Sequence, residues 1–340
     1  MHALVTGATG HIGYALVLEL LAHDYDVKLF VFEHEDVSIF DGMNVTYLYG
    51  TITDYEDVLN AVKGADYVFH LAGLIDIGSS AKKKMIKVNV GGTENIVKAC
   101  TESKPKRLIY VSSVHAIPEP PDNRMITESK NFSPALVRGS YAKTKAAATS
   151  VVLRYAHTGG DAVIVQPSGV IGPYEHKLSN MGQMIKDSSS GALKLYIDGA
   201  YNFVDVRDVA QGIRLAAEKG KNKETYILSG ETLTIKEMFD IVTASCGRPL
   251  IRHKFPRFLA VASAPFAEAY YKLLHKKPLF TSYSLLTIQT NSNFSNEKAK
   301  RELGFSPRPI EQSILDTVEW MKQSGLIVCK IPKNQKNKTY

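Results

Sequence analysis

The sequence predicts an α/β fold: a doubly wound parallel sheet with helices on both faces, followed by a smaller lobe in the C-terminal half. Three observations lead there. Near-continuous apolar runs alternate with helix-period segments through the first half, the pattern of strands buried on both faces. A glycine-rich turn, "TGATGHIG", joins the first such run to the first helical segment. Beyond about Tyr174 the alternation breaks into shorter pieces. A chain of 340 residues with 44% hydrophobic content can bury a large core, as one big domain or as a domain with an appended lobe.

Taken in order, the elements are the strand "MHALVTG", a helix from about His11, the strands "DVKLFVF" and "NVTYLYG", and a helix near Tyr55 to Val62. The strand "ADYVFHLAG", a helix running to Cys100 and the strand "RLIYVSS" follow. A loop rich in proline and charge, "IPEPPDNRMITESKNFSP", precedes a helix from about Ser140 to Ala156 and the strand "DAVIVQPSG". Residues 1–173 are therefore read as the core and 174–330 as mainly the lobe, with "NFVDVRDVAQGIRLAAEKG", near 200–220, returning to the core as strand then helix. Residues 331–340 read as a basic tail. No internal repeat or low-complexity linker separates these parts.

Composition narrows the classes of function. The formal charge of +7 owes much to Lys330, Lys333, Lys336 and Lys338 in an acid-free end, which reads as a solvated tail. No basic stripe with interleaved aromatics occurs elsewhere, so no nucleic-acid partner is expected. Cys100, Cys246 and Cys329 lack metal-ligand or CxxC spacing, which predicts reduced thiols and a cytoplasmic protein. No metal site is expected, because His70 and His115 have no paired ligand spacing. The first strand begins at once, without the basic region of a signal peptide. The apolar stretch "FLAVASAPFAEAYYKLL", Phe258 to Leu274, is too short to span a bilayer and contains Pro265 and Glu268. It reads as a lid or pocket wall, with contact to a membrane surface as the alternative.

The opening turn sets Gly7, Gly10 and Gly13 in a GxxGxxG pattern where strand meets helix. The first glycine permits the tight turn, the second lets the backbone approach a pyrophosphate, and the third lets helix pack on strand. The amides of His11 and Ile12 would then face the anion from the positive helix end. After the second strand, the positions that usually hold a ribose-binding acid or arginine fall on Val31 and Phe32, with Glu33 the nearest acid. Phe32 could lie against adenine. The choice between NAD and NADP stays open.

A second constellation is "GSYAKTKAAA", which puts Tyr141 and Lys145 on one helix face. A phenol titrates near pH 10 unless its anion is favoured, and the Lys145 charge supplies that favour. Ser112 and Ser113 end the strand "RLIYVSS", where a hydroxyl can reach a ligand. Leu71, Ala72 and Gly73 end "VFHLAG" and leave room for a cofactor, while Asn89 in "VNVGGTENIVKAC" occupies a helix interior, a poor place for an unused asparagine.

In this order, "TGATGHIG", "VFHLAG", "VNVGGTENIVKA", "YVSS" and "YAKTK" make the chain resemble the extended short-chain dehydrogenase/reductases, the NAD-dependent epimerase/dehydratase family. Its later stretches "QPSGVIGPYE", "YNFVDVRDVAQGI" and "FSNEKAKRELGFSPRPIEQSILDTVEW" are similar to the dihydroflavonol-reductase and 3β-hydroxysteroid-dehydrogenase-like branch. The resemblance implies a Rossmann core and a catalytic set of Ser113, Tyr141 and Lys145, with Ser113 rather than Ser112 by register. It also implies cofactor contacts at Thr9, Phe32, Thr51, Ile52, Pro167 and Val170, and from Tyr141 and Lys145. Two positions depart from the family pattern: Thr51 replaces a common aspartate near adenine, and Gln166 replaces an arginine common in nucleotide-sugar enzymes.

The expected activity is hydride transfer between NAD(P) and the carbonyl or alcohol of a small to medium, largely apolar substrate, in an enzyme that could form a homodimer. A nucleotide-sugar epimerase or dehydratase with the same triad, and a cofactor-binding regulatory protein with little turnover, are the alternatives. The C-terminal half favours the first. It is rich in Met, Phe, Leu and Tyr, with Arg207, Arg252 and Arg257 the arginines that could clamp a phosphate.

Overall fold

A computed structural model of the chain describes residues 1–75, 82–120, 122–256, 258–262 and 290–329. In chain order the elements are β1 (His2–Thr6), α1 (His11–Leu21), β2 (Asp26–Val31), β3 (Val45–Tyr49), α2 (Tyr55–Val62), β4 (Tyr67–His70), α3 (Lys82–Ile86), a π-helical turn (Lys87–Gly91), α4 (Gly92–Ser103) and β5 (Arg107–Val111). There follow α5 (Ser140–His157), β6 (Ala162–Pro167), β7 (Gly169–Ile171), α6 (Asn180–Ser190), β8 (Leu195–Tyr196), β9 (Ala200–Asp205), α7 (Val206–Lys219), β10 (Thr225–Leu228), β11 (Glu231–Thr234), α8 (Ile235–Ser245) and β12 (His253–Lys254). Two further helices, α9 (Glu297–Leu303) and α10 (Ile310–Gln323), come after the apolar stretch.

The main sheet has the order β10-β6-β5-β4-β1-β2-β3 with every neighbouring pair parallel. This is the doubly wound Rossmann arrangement with one added strand, and its order reverses between β1 and β4. In a sheet of this order the ligand crevice lies at the carboxyl ends of those two strands, where Thr6 leads into the glycine turn and His70 into Leu71.

Burial follows from the pattern that predicted the strands. Leu4, Val68, Leu108, Tyr110 and Ile164 from the sheet pack with Val58, Val62, Ile96, Ala148 and Val152 from α2, α4 and α5. On α1, Ala15, Leu16, Val17 and Leu20 are buried. Arg214 of α7 donates to Glu19 of α1 at 2.7 Å and to Glu218 at 2.8 Å, and thus ties α1 to α7. Arg107, at the start of β5, donates to Asp161 and to the carbonyls of Ala217 and Gly220. A guanidinium so shared closes the carbonyl end of α7.

By contacts the chain divides into two compact units. The first comprises 1–170, 206–229 and 293–307, and the second 171–205, 230–292 and 308–340. The second unit carries the antiparallel strands β9 and β11 and the two-stranded pair β12-β8. Ser179 caps α6, and Thr234 with Glu237 forms a reciprocal capping box on α8. In the stretch expected to return to the core as strand and helix, α7 belongs to the first unit and β9 to the second, where it pairs with β11.

One expectation is corrected. Cys246 and Cys329 are joined as a disulfide across 83 residues, so only Cys100 is a free thiol among the described residues. Cys246 follows α8 directly, and the chain leaving α10 returns beside it, a proximity that sequence spacing cannot express. Cysteine usage therefore no longer argues for a reducing compartment. The tail 331–340 lies outside the described residues, as do Arg257 and the apolar stretch beyond residue 262.

The turn between β1 and α1 tests the packing argument. Gly7 has a φ of +73°, which favours glycine, and a Cβ there would stand 2.7 Å from the Ala72 amide nitrogen. A Cβ on Gly13 would overlap the Gly7 carbonyl and approach Ala8 Cα to 2.8 Å. Gly13→Ala should therefore lower stability by about 1–3 kcal/mol or more. Thermal melting of the purified variant is the check, and an unchanged Tm would contradict this packing.

Candidate active site

The residues singled out in the sequence, from Gly7 to Val170, all belong to the first unit. The glycine turn fits a pyrophosphate. Gly7 and Gly13 are demanded by packing within the turn itself. Gly10 is different, since a Cβ there would meet only the Gly7 carbonyl, at 3.3 Å. It is thus less crowded than Gly7 or Gly13 at the start of α1, where Gly10 is the N-cap and has no side chain to bond the first turn. His11 and Ile12 open that helix, and its dipole favours an anion.

Around this turn the chain places Thr9, whose hydroxyl donates to Glu35 at 2.9 Å. Glu35 lies four residues beyond the end of β2 and was not singled out in the sequence. The acidic run "EHED" was the available signal, but only the folded loop shows which carboxylate turns back to the glycine turn. Phe32 is 57% exposed just past β2. The Thr51 hydroxyl meets that of Thr53 at 3.0 Å, and the Thr51 amide donates to Asp57 at 2.9 Å. Ile52 packs so closely on Gly92 that a Cβ there would lie 2.6 Å from its Cδ1.

Asn89 occupies the π-helical turn, 2% exposed. Its amide donates to the Leu74 carbonyl and to the Thr144 hydroxyl, both at 3.0 Å, and its carbonyl oxygen accepts from the Leu74 amide at 2.7 Å. Asn89 therefore ties the segment after Leu71, Ala72 and Gly73 to α5. A π-helical turn inserts one extra residue and re-aims side chains, a frequent device at functional sites.

Beneath it lies a fully buried network. Thr93 donates to the Asn89 carbonyl at 2.7 Å, so the His70 Nε2–H donates to Thr93 at 3.0 Å. Thr6, which accepts from the Ala72 amide at 3.2 Å, then donates to His70 Nδ1 at 2.8 Å. Burial, with the Lys145 charge a lesser cause, holds His70 down to about 3 and hence neutral. His70 thus connects the end of β1 to the helix that carries Asn89. No cluster of three or more metal-binding side chains exists among the described residues.

Tyr141 and Lys145 stand one turn apart on α5. Lys145 is 5% exposed; its ammonium donates to the Val111 carbonyl at 2.7 Å and lies 4.7 Å from the centre of the Tyr110 ring. Burial alone pulls it down to about 7. The two serines after β5 part company. Ser112 is directed at α5 and shares a 2.7 Å bond with Thr149, whose hydroxyl donates to the Lys145 carbonyl. Ser113 instead accepts from the His115 amide at 3.2 Å, capping a short 3₁₀ turn. The His115 ring packs edge-on against Tyr141 with centroids 6.2 Å apart. Burial holds His115 down to about 4, so it too is neutral.

Pro167 ends β6 and Val170 lies in β7. Between them the Ser168 hydroxyl is buried without a partner among the described residues, as are both side-chain polar atoms of Gln166. Gln166 is 0% exposed and stands beside Ile227 in the sheet register. Arg252 is exposed on the second unit.

Residues 3–229 match the NAD dependent epimerase/dehydratase family, and the chain belongs to it. It is thus an NAD-dependent enzyme of the extended short-chain dehydrogenase/reductase type. The chain is 29% identical over 331 residues to the sterol demethylase protein B of Methylococcus capsulatus, covering 96% of this chain and 100% of that one. It is 27% identical over 323 residues to a 3-beta-hydroxysteroid dehydrogenase of Mycolicibacterium neoaurum, covering 89% and 86%. Among solved structures it superposes on gox2253 with a TM-score of 0.83 and 33% identity, over 96% of this chain and 99% of the other.

Two expectations follow. Lys145 titrates at about 7 in the folded chain and at about 10.5 when unfolded. Between those values the unfolded chain binds the extra proton, so this group makes stability rise with pH, and its full cost is felt below pH 7. Lys145→Met should thus stabilise the cofactor-free protein most below pH 7, with the gain shrinking towards pH 10, as melting across pH reads out. Gly10→Ala should fold normally yet weaken NADH binding at least about tenfold, 1.4 kcal/mol, in a fluorescence titration. Unchanged affinity would remove the pyrophosphate from this turn.

Proposed function

We propose that the protein is a dehydrogenase or reductase that moves a hydride between NAD(H) and the carbonyl or alcohol carbon of a small to medium, largely apolar substrate. The bond from Lys145 to the Val111 carbonyl carries this reading, because it fixes α5 to the strand end that continues into Ser113. The three groups proposed as the triad follow from elements joined by that bond, Ser113 just past β5 and Tyr141 and Lys145 on α5.

When bound, the nicotinamide supplies the hydride donor or acceptor. In this proposal Ser113 donates a hydrogen bond to the substrate oxygen and Tyr141 gives or takes the proton there. Lys145 holds the nicotinamide ribose and favours the phenolate by its charge. Ammonium burial makes that charge conditional: Lys145 gains a proton near pH 7, so proximity to an anion or phenolate is what retains it. Asn89 holds the loop after Ala72 and Gly73 against α5. The Glu35 carboxylate beside Thr9 disfavours a 2′-phosphate by charge and accommodates a 2′-hydroxyl, so NAD is preferred to NADP.

An apolar substrate is supported from two sides. The relatives just described bear sterol and steroid names. The position that an arginine often fills in nucleotide-sugar enzymes is Gln166, neutral and buried.

Tyr141→Phe should lose about 10²–10⁴-fold in turnover while binding NADH as the parent does. The assay follows NADH absorbance with an aromatic ketone and a 3-oxosteroid, beside a product assay with UDP-glucose. Activity of the variant within a few-fold of the parent, or turnover of the UDP-sugar alone, would overturn the proposal.

A further inference from the structure

An ordinary helix on a protein surface buries its larger apolar side chains and exposes its small or polar ones. Residues 258–262 do the reverse. Ala260 is 0% exposed, while Phe258 is 72%, Leu259 43% and Val261 51% exposed. Three large apolar side chains so close together on a surface need a reason, because single exposed ones are common and contiguous ones are not.

The approach to this turn is cationic. From Gly247 to Ala267 the sequence holds Arg248, Arg252, Lys254 and Arg257, with His253, and no aspartate or glutamate. Arg252, His253 and Lys254 are exposed. The β8–β12 pair puts His253 beside Leu195, itself 47% exposed, and next to Leu195 is the exposed Lys194. Leu250, 46% exposed, adds a further apolar group before them. Of these cations Lys254 is paired, with Asp198, across an exposed contact. Arg248 is turned inward, its Nε donating to the Ser189 carbonyl at 3.2 Å.

Exposed Phe and Leu a few residues along the chain from exposed Arg, His and Lys form the composition that binds the interface of an anionic bilayer. The rings and branched chains enter the acyl boundary while the cations meet lipid phosphates. We propose that the second unit docks on an anionic membrane surface through Phe258, Leu259 and Val261, with Arg252, His253 and Lys194 at the headgroups. No helix among the described residues is long and apolar enough to cross a membrane, and the contact proposed is a peripheral one. A peripheral site would bring the enzyme to apolar molecules that partition into lipid. The docking itself requires nothing of the reaction proposed above.

Co-sedimentation of the full chain with vesicles tests it directly. Binding to phosphatidylglycerol-rich vesicles should exceed binding to pure phosphatidylcholine, and should fall as salt is added. Replacing Phe258, Leu259 and Val261 together by serine should lower the partition at least about tenfold. Arg252→Glu with His253→Glu should lower it as well, and this pair of exposed positions keeps the test open should the serine variant fail to fold. Lys333→Gln with Lys336→Gln and Lys338→Gln should leave most binding in place, and NADH affinity should stay at the parent value in every variant. Equal binding to both vesicle types, no binding at all, or loss through the tail substitutions alone would overturn the proposal. So would a dimer that becomes a monomer when the apolar residues are replaced, because the patch would then be covered by a second copy.

Discussion

The 2.7 Å bond from the Lys145 ammonium to the Val111 carbonyl is the constraint from which the geometry of the site follows. A charge buried to 5% exposure is costly, and its affinity for the proton falls accordingly. The fold offsets that cost by setting the ammonium against a backbone carbonyl and near the face of Tyr110. In return α5 is held in register with β5, so that Tyr141 one turn earlier and Ser113 two residues after Val111 are placed by the same contact. Thr149 reinforces the seam by bonding both Ser112 and the Lys145 carbonyl.

A second set of constraints surrounds the reversal of strand order. The main sheet splits its connections at β1 and β4, which leaves the two loop starts side by side. Thr6, His70, Thr93 and Asn89 then form a buried chain of hydrogen bonds from the first loop to the helix that supports the second. Each donor in that chain has its acceptor, and the direction of every bond is set by Thr93 donating to the Asn89 carbonyl. Burial of a neutral histidine is thereby compatible with a satisfied interior.

Much of this was legible in the sequence because it depends on local chemistry. Continuous apolar runs marked the strands, the glycine spacing marked the turn, and Tyr141 with Lys145 could be placed on one face from helical periodicity alone. The choice of Ser113 over Ser112 came from register with the family; in the structure Ser112 shares a hydrogen bond with Thr149 and Ser113 accepts from the His115 amide. Other features depend on distant partners and left little local trace. Glu35 reaches Thr9 only because the loop after β2 folds back. Cys246 meets Cys329 only after α10 has returned towards α8. The π-helical turn around Asn89 reads as ordinary helix in sequence, since one extra residue per turn shifts no hydrophobic period over so short a span.

The central claim is that hydride passes directly between the nicotinamide and an apolar substrate's carbonyl carbon. Deuterium transfer tests it: protein, ketone and NADH deuterated at C4 on either face are incubated, and the alcohol is analysed by mass spectrometry. The account predicts deuterium at the new carbinol carbon from one face of the cofactor and none from the other. An alcohol carrying no deuterium from either labelled cofactor, or a UDP-sugar epimerised while the ketones stay untouched, would contradict it.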